Sequence, residues 1–287
     1  MLAYKTALIT DSTCDIPVAL RQQYNIHTIP LYIAWGDELQ RDGLDITTSA
    51  LIQAIKARLM FPRTLPPHVE DVVRTIDDVR RAGAEEVLLI TVAAMMSDTF
   101  AIGQQAIEQA SLPVTLVDSR GNTMSLGWQV LAAARSRAAG GTLGDMVQAA
   151  DAVRERLVTL LYVDSMEYLH RGGRIGGAVR WLGTILSLKP QLLVDHATGQ
   201  VEGATRARSR DEALGKMLHT FVEQTAVHRP LRIAVTHADA FEPAADFASR
   251  IQHELHPVEL IVSETSAVSA VHAGPGAIAI SGYGEAE

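Results

Sequence analysis

The chain has 287 residues, of which 47% are hydrophobic, and its 33 acidic and 25 basic side chains give a net charge of −8. This length is enough for two ordinary domains, because single hydrophobic cores stop growing near this size. No apolar run approaches the roughly 20 residues that span a bilayer, and no basic stripe with interleaved aromatic residues indicates a nucleic-acid partner.

The first half of the chain alternates short apolar segments with helical patterns. Strands are predicted at residues 7–10, 26–35, 87–94 and 114–118, and helices at 49–60, 68–83 and 125–141. The run at 87–94 is continuously apolar, as in a strand that is covered on both faces. Strands separated by helices predict a parallel, doubly wound α/β sheet.

The second half is less regular. A helix at 145–157 precedes a strand at 159–164, and residues 189–209 predict a hairpin with Thr198 and Gly199 at its turn. A helix at 210–225 and strands at 231–237, 258–264 and 277–282 complete the chain. We place a domain boundary after residue 157, which gives an N-terminal α/β domain (1–157) and a C-terminal α/β domain (158–287).

The cysteine content and the N-terminal residues bear on the compartment. Cys14 is the only cysteine and cannot form an internal disulfide, which is typical of a reducing compartment. The residues up to Asp11 show no signal-peptide pattern. We therefore expect a cytoplasmic protein with no stable insertion into a membrane.

Small polar residues follow three of the predicted strands. They are Asp11, Ser12 and Thr13, then Ser97, Asp98 and Thr99, and then Ser119 and Asn122. For each residue alone, capping of the next helix is the simpler interpretation. In an open α/β sheet, however, ligands bind beyond the carboxyl ends of the strands, so the recurrence favours a binding site there.

A glycine-rich segment, HRGGRIGGAVRWLG at 170–183, surrounds Arg174. Glycines let backbone amides and one guanidinium approach an anion closely, although a flexible turn with a solvated arginine fits the same letters. A helix is predicted around 177–187, and helical spacing places four apolar residues on one face, namely Ile175, Val179, Leu182 and Leu186. A charge beside an apolar helix suits an amphiphile with an anionic head group, although core packing is the commoner reason for such a helix.

Two other spots could contribute to a site. The rigid turn RTLPP at 63–67 presents the hydroxyl of Thr64, unless it is only a junction between a loop and a helix. His272 precedes the turn AGPG, although a lone histidine is usually structural or solvated. The chain has no P-loop, no GxSxG and no GxGxxG, and its HELH segment lacks the HExxH spacing, so no metal or cofactor site is predicted.

Six segments resemble, in order, the DegV family of bacterial fatty-acid-binding proteins. They are ITDSTCDIP, RTLPP, VLLITVAAMMSDTF, VTLVDSRGNTMSLG, the long block from Tyr162 to Val201, and VHAGPGAIAI. The resemblance implies a two-domain α/β protein that buries one long-chain fatty acid between its domains. It further implies a carrier without catalytic turnover that presents the acid to a separate fatty acid kinase.

The resemblance also implies a set of fatty-acid-binding residues by position. They are Thr64, Ala93, Ala94, Ser97, Arg174, His272 and Gly274. Ala93 and Ala94 replace paired serines of the family, and Asp98 replaces a glycine, so hydroxyl donors to the head group are expected to be lost. Arg174, Thr64 and a protonated His272 would then hold the carboxylate. We expect Asp98 to point away from the head group and to cap the helix that begins near Thr99.

Two alternative functions stay open at this point. The substitutions at Ala93, Ala94 and Asp98 leave room for a degenerate family member that binds another lipid. A hydrolase or phosphotransferase would need a serine, such as Ser12, Ser97 or Ser119, activated by His272. The enzyme is less well supported, because the sequence shows no nucleophile elbow and no carboxylate to orient the base.

Overall fold

The computed structural model of the protein describes residues 4–58, 61–181, 189–225 and 229–285. The strands of this part of the chain form three sheets. The strands are β1 Thr6–Asp11, β2 Ile26–Ile29, β3 Tyr32–Trp35, β4 Glu38–Arg41, β5 Arg63–Leu65, β6 Glu86–Thr91, β7 Val114–Asp118, β8 Val158–Tyr162, β9 Lys189–Asp195, β10 Gln200–Ala207, β11 Leu231–His237, β12 Glu259–Glu264 and β13 Ile278–Gly284.

Ten α-helices lie in the described residues, together with 3-10 helices at Ser12–Cys14 and Gly176–Trp181. The α-helices are α1 Val18–Gln23, α2 Thr48–Arg58, α3 Val69–Arg81, α4 Thr99–Ile107, α5 Thr123–Ala138, α6 Leu143–Arg154, α7 Glu167–Arg171, α8 Arg210–Gln224, α9 Phe241–Leu255 and α10 Ala267–Ala273. No helix in this part of the chain is both long and apolar enough to cross a membrane.

The first sheet has four parallel strands in the order β2-β1-β6-β7. Alternate residues of β1 face opposite sides, because Ile9 belongs to the core cluster that contains Ile76 of α3 and Leu8 to the cluster that contains Trp128 of α5. Both faces are therefore covered by helices, as its continuous apolar strands require. The predicted α/β class with a parallel sheet is confirmed.

The segment 26–35 differs from the single extended strand that its sequence predicts. β2 joins the parallel sheet, whereas β3 lies in a three-stranded antiparallel sheet of order β4-β3-β5. Pro30 lies between the two strands and has no backbone N–H to donate to a ladder. The chain therefore changes sheets at this proline, and β5 is brought beside β3 with Thr64 opposite Ile33.

The third sheet is mixed and has six strands in the order β10-β9-β8-β13-β11-β12. The predicted hairpin is present, because β9 pairs antiparallel with β10 and Gly199 takes a positive φ of 77° at its turn. Helices α8 and α9 pack on one face around Phe221 and Phe247. The predicted division after residue 157 remains a prediction: the strands of the first two sheets lie within 6–118 and those of the third within 158–284.

The segment after the glycine-rich turn also differs from prediction. Residues Gly176–Trp181 form a 3-10 helix rather than the start of an α-helix, so the helical face predicted from α spacing does not form there. Ile175 is buried, whereas Val179 is 52% exposed. Leu182 and Leu186, the other members of that face, lie outside the described residues.

Two buried carboxylates from the first half of the chain hold the beginning of α10. Asp15 accepts hydrogen bonds from the Thr265 hydroxyl at 2.5 Å and from the Ser266 backbone N–H at 2.8 Å. Asp42 accepts one from the Ala267 backbone N–H at 3.0 Å. Burial raises the pKa of Asp15 to about 8 and that of Asp42 to about 6. These contacts anchor α10 to the N-terminal half.

Stability should therefore fall as the pH rises across the neutral range. In the unfolded chain an aspartate releases its proton near pH 4, whereas folded Asp15 keeps it to about pH 8, so its stabilising contribution is full below the unfolded pKa and is lost through the folded one. We expect the free energy of unfolding in urea to decrease from pH 7 to pH 8, above the range in which buried histidines with a lowered pKa, such as His272, have the opposite effect, and Asp15→Asn to reduce this slope. An unchanged slope in the variant would contradict the assignment to Asp15.

Candidate functional site

A cavity of about 210 Å³ lies between α10, the inner face of the six-stranded sheet and the carboxyl ends of the parallel strands. Thr13 after β1, Met96 to Asp98 after β6, and Asn122 after β7 line it. The volume is many times the roughly 10–15 Å³ that one water needs by the same kind of measure. The edge at which small polar residues recur in the sequence thus faces a real hollow, as the carboxyl-end rule predicts.

A hydrogen bond of 2.8 Å joins Thr64 Oγ1 to His272 Nε2 at the wall of this cavity. Thr64 is placed by β5, and His272 lies in the last turn of α10. The two residues are 208 positions apart in the chain. Two elements anchored independently therefore bring a hydroxyl and an imidazole together.

His272 is neutral at ordinary pH. Burial and the nearby Arg174 guanidinium lower the pKa of His272 to about 4, so the expectation of a protonated imidazole is wrong. Its Nδ1 atom is buried and has no hydrogen-bond partner in the described structure. An unpaired buried N–H costs a full desolvation penalty, which favours the tautomer with the proton on Nε2. Nε2 then donates to Thr64, and the Thr64 hydroxyl hydrogen is left for a ligand.

Arg174 follows a helix end whose geometry depends on glycine. Helix α7 closes with bonds from Gly173 N to His170 O and from Arg174 N to Leu169 O, the Schellman pattern. Gly173 has a φ of 70°, in the left-handed region that favours glycine. Gly172 meets the face of His272 so closely that a Cβ there would overlap with Nδ1.

The guanidinium of Arg174 is oriented by backbone carbonyls. Its Nε donates to Met96 O at 2.9 Å and its Nη1 donates to Gly172 O at 2.6 Å. Neither acceptor carries a charge, and no carboxylate of the described residues forms an ion pair with this arginine. A partly exposed cation at the cavity wall is thus fixed in place and not neutralised.

The loop after β6 behaves only partly as predicted. Ser97 lines the cavity, and its Oγ contacts Thr99 Oγ1 at 2.8 Å and accepts from the Thr99 N–H at 3.3 Å. Asp98 occupies the N-cap position of α4, but its side chain makes no capping hydrogen bond, so the predicted side-chain cap is wrong. Its side chain is exposed and does not bond to Arg174.

Three residues implied by the resemblance do not line the cavity. Ala93 is buried and donates its N–H to Gly121 O, and Ala94 is exposed and donates its N–H to Asp118. Gly274 ends α10 with a φ of 77°, where a Cβ would strike the ring of Tyr168. A direct role for these three in ligand binding remains a prediction.

The serines considered as nucleophiles are engaged elsewhere. Ser12 donates to Asp42 at 2.7 Å, and Ser119 donates to Gly121 O at 3.2 Å. In the described part of the chain His272 contacts Thr64 and none of these serines. The same part of the chain contains no group of three His, Cys, Asp or Glu side chains that could hold a metal ion.

Sequence reasoning missed α10 and the hydroxyls that line the cavity along it and on the sheet. Helix α10 places Val268, Ser269 and His272 along the cavity, and β11 adds Thr236. The sequence does contain the start and stop residues of this helix. Ser266 caps it by accepting a hydrogen bond from the Ser269 N–H, and Gly274 ends it. A helix of seven residues spans too few turns for its periodicity to be read from the sequence.

Comparison with known proteins identifies the family. Residues 5–285 match the model of the family described as "Uncharacterised protein, DegV family". A DegV domain-containing protein of Streptomyces coelicolor is 32% identical over 275 residues, which cover 96% of each chain. Protein DegV of Bacillus subtilis is 26% identical over 276 residues, which cover 96% of this chain and 97% of that protein.

Solved structures agree with the sequence matches. A fatty-acid-binding DegV family protein from Thermus thermophilus superposes with a TM-score of 0.92 at 30% identity, covering 98% of this chain and 100% of that one. The fatty-acid-binding protein DegV from Bacillus subtilis superposes with a TM-score of 0.89 at 25% identity and the same coverage. The chain therefore belongs to the DegV family.

Proposed function

We propose that this protein binds one long-chain fatty acid, with its carboxylate at Arg174 and Thr64 and its acyl chain in the cavity. The observation that carries the proposal is the Thr64–His272 hydrogen bond, set beside a cation that has no carboxylate partner in the described structure, at the wall of a mostly apolar hollow. The fatty-acid-binding relatives of the same fold support it.

The two ends of the ligand would be held by different forces. Each buried CH₂ contributes about 0.8 kcal/mol, so a tail of a dozen carbons supplies enough free energy to exceed the usual cost of association. The carboxylate must instead recover the hydration that it loses, and each charge-assisted hydrogen bond returns about 1.5–3 kcal/mol. Arg174 and the free hydrogen of Thr64 are suited to this, and neutral His272 fixes the Thr64 hydroxyl.

We further propose that the protein is a non-catalytic cytoplasmic carrier that presents the acid to a fatty acid kinase. Arg174 is partly exposed, so a carboxylate held there would remain within reach of a second protein. Leu65 and Met95, next to the cavity-lining residues Thr64 and Met96, are 39% and 60% exposed. A partner that covers these apolar side chains would also cover the head group.

Lipid analysis is the direct test. We expect protein purified from a bacterial host to release about one long-chain fatty acid per chain on solvent extraction, as measured by mass spectrometry. The loaded protein should also support acyl phosphate formation by a fatty acid kinase and ATP. Recovery of no lipid, together with no uptake of added fatty acid, would overturn the binding proposal; loading without phosphorylation would overturn only the carrier role.

Arg174→Ala tests the role of the charge. The variant should bind a fatty acid about 10- to 100-fold more weakly, which corresponds to the loss of one charge-assisted hydrogen bond. It should bind the matching neutral fatty alcohol almost as well as before, because the alcohol carries no charge to be paired. Competition against a fluorescent fatty acid measures both affinities, and equal losses would show that Arg174 is structural.

Gly172→Ala and Gly173→Ala form a matched pair that tests the histidine. A Cβ on Gly172 would overlap with His272 and displace the imidazole from Thr64, so fatty-acid affinity should fall about three- to tenfold. A Cβ on Gly173 would meet no atom within 4 Å, but alanine is strained at the positive φ of this position. The Gly173→Ala variant should therefore lose about 1–2 kcal/mol of folding stability and keep its affinity for the fatty acid. Equal affinities in titration calorimetry would argue against a role for the imidazole position.

A further inference from the structure

Two buried hydroxyls line the cavity away from the Thr64–His272 pair. Thr236 of β11 is 4% exposed and forms no side-chain hydrogen bond with any described residue. Ser269 of α10 is 8% exposed, and its Oγ accepts a hydrogen bond from Ser266 at 3.0 Å. The hydrogen of the Ser269 hydroxyl therefore has no acceptor among the described residues.

The other buried threonines of the cavity have committed hydroxyls. Thr13 donates to Asp11 at 2.6 Å, and Thr265 donates to Asp15 at 2.5 Å. Thr159 is bonded to Ser281 at 3.0 Å and to His196 at 3.1 Å. The hydroxyl hydrogens of Thr13 and Thr265 are thus donated within the protein, and Thr159 is bonded on two sides, whereas Thr236 and Ser269 each keep a hydroxyl hydrogen with no acceptor among the described residues.

Thr236 and Ser269 line the same cavity as His272, beside which the proposed function places the carboxylate. Ser269 precedes His272 by three residues on α10, which is about 4.5 Å along the helix axis. Thr236 pairs in register with Ala279 of β13, and Ala279 pairs in turn with Leu161 of β8. The neighbour of Thr236 on the adjacent strand is therefore a small side chain. Ala277, two residues before Ala279 on the same face, lines the cavity as well, so small side chains adjoin Thr236 on this part of the wall.

A plain hydrocarbon tail is a poor match for this section of the wall. Such a tail would displace water from both hydroxyls and offer them no hydrogen bond in return. The free energy of desolvating these groups would then reduce the affinity for the ligand. A hydroxyl on the tail can accept from Ser269 or exchange a hydrogen bond with Thr236, which is both donor and acceptor. A hydroxyl on the tail therefore complements the free hydrogen of Ser269 and the unbonded hydroxyl of Thr236.

We propose that the preferred ligand is a long-chain fatty acid that carries a hydroxyl group along its chain, recognised by Thr236 and Ser269. This inference rests on the proposed function, since it assumes that the acyl chain occupies the cavity. It specifies the substrate class more narrowly, because an unsubstituted chain of the same length satisfies the head-group site equally well.

Affinities for a positional series of acids test the inference. Delipidated protein would be titrated with stearic acid and with monohydroxystearic acids whose hydroxyl moves carbon by carbon along the chain. We expect at least one isomer to bind about three- to tenfold more tightly than stearic acid, the gain of one hydrogen bond. Thr236→Val and Ser269→Ala should reduce that ratio towards one, whereas Thr10→Val, which removes a buried hydroxyl that lies outside the cavity lining and bonds to no described residue, should leave it unchanged.

The outcomes separate this inference from the function on which it rests. If stearic acid binds and no hydroxylated isomer binds more tightly, the wild-type series alone overturns the hydroxyl preference and leaves fatty-acid binding intact. A preference that survives both Thr236→Val and Ser269→Ala would overturn the assignment to these residues. Binding of no acid at all would overturn both proposals.

Discussion

The candidate site depends on the contact between Thr64 and His272, because it is the point at which separately anchored parts of the fold meet. Thr64 is positioned by a short antiparallel strand whose existence depends on the change of sheet at Pro30. His272 is positioned by α10, whose first turn is held by buried Asp15 and Asp42. A hydrogen bond of 2.8 Å at this junction therefore requires three parts of the fold to be in place together. They are the three-stranded sheet, α10, and the segment between β1 and α1 that carries Asp15.

The electrostatics of the site follow from the neutrality of that histidine. With His272 uncharged, Arg174 is the one lysine or arginine among the described residues that line the cavity, and its described partners are carbonyl oxygens. Carbonyls orient a guanidinium without cancelling its charge, so Arg174 remains able to pair with an anionic group. Asp98 also lines the cavity, but its side chain is exposed and does not pair with Arg174, so it leaves the guanidinium free to bind an anion.

Much of the fold could be predicted from local sequence patterns. The elements that could not be predicted all depend on tertiary contacts. β6 of the parallel sheet lies in a long, mostly apolar run, and the β9–β10 hairpin carries its own glycine turn, so each is encoded where it forms. The strand change at Pro30, the 3-10 helix after Ile175 and the short α10 depend instead on what lies against them. The same holds for the site: Arg174 and Thr64 stand in recognisable turns, but the pKa of His272 is set by burial and by a cation that only the tertiary structure brings near.

The distribution of polar groups in the cavity separates affinity from selectivity. Apolar burial is nondirectional and scales with the length of the tail, so it contributes binding free energy without distinguishing similar chains. Discrimination instead comes from buried polar groups, because a ligand that leaves them unpaired loses their hydration with no return. The hydroxyls of Thr13, Thr159 and Thr265 are paired within the protein and impose no such demand. Thr236 and Ser269 keep hydroxyl hydrogens with no acceptor among the described residues, so on the proposal above they are where this chain would distinguish one fatty acid from another of equal length.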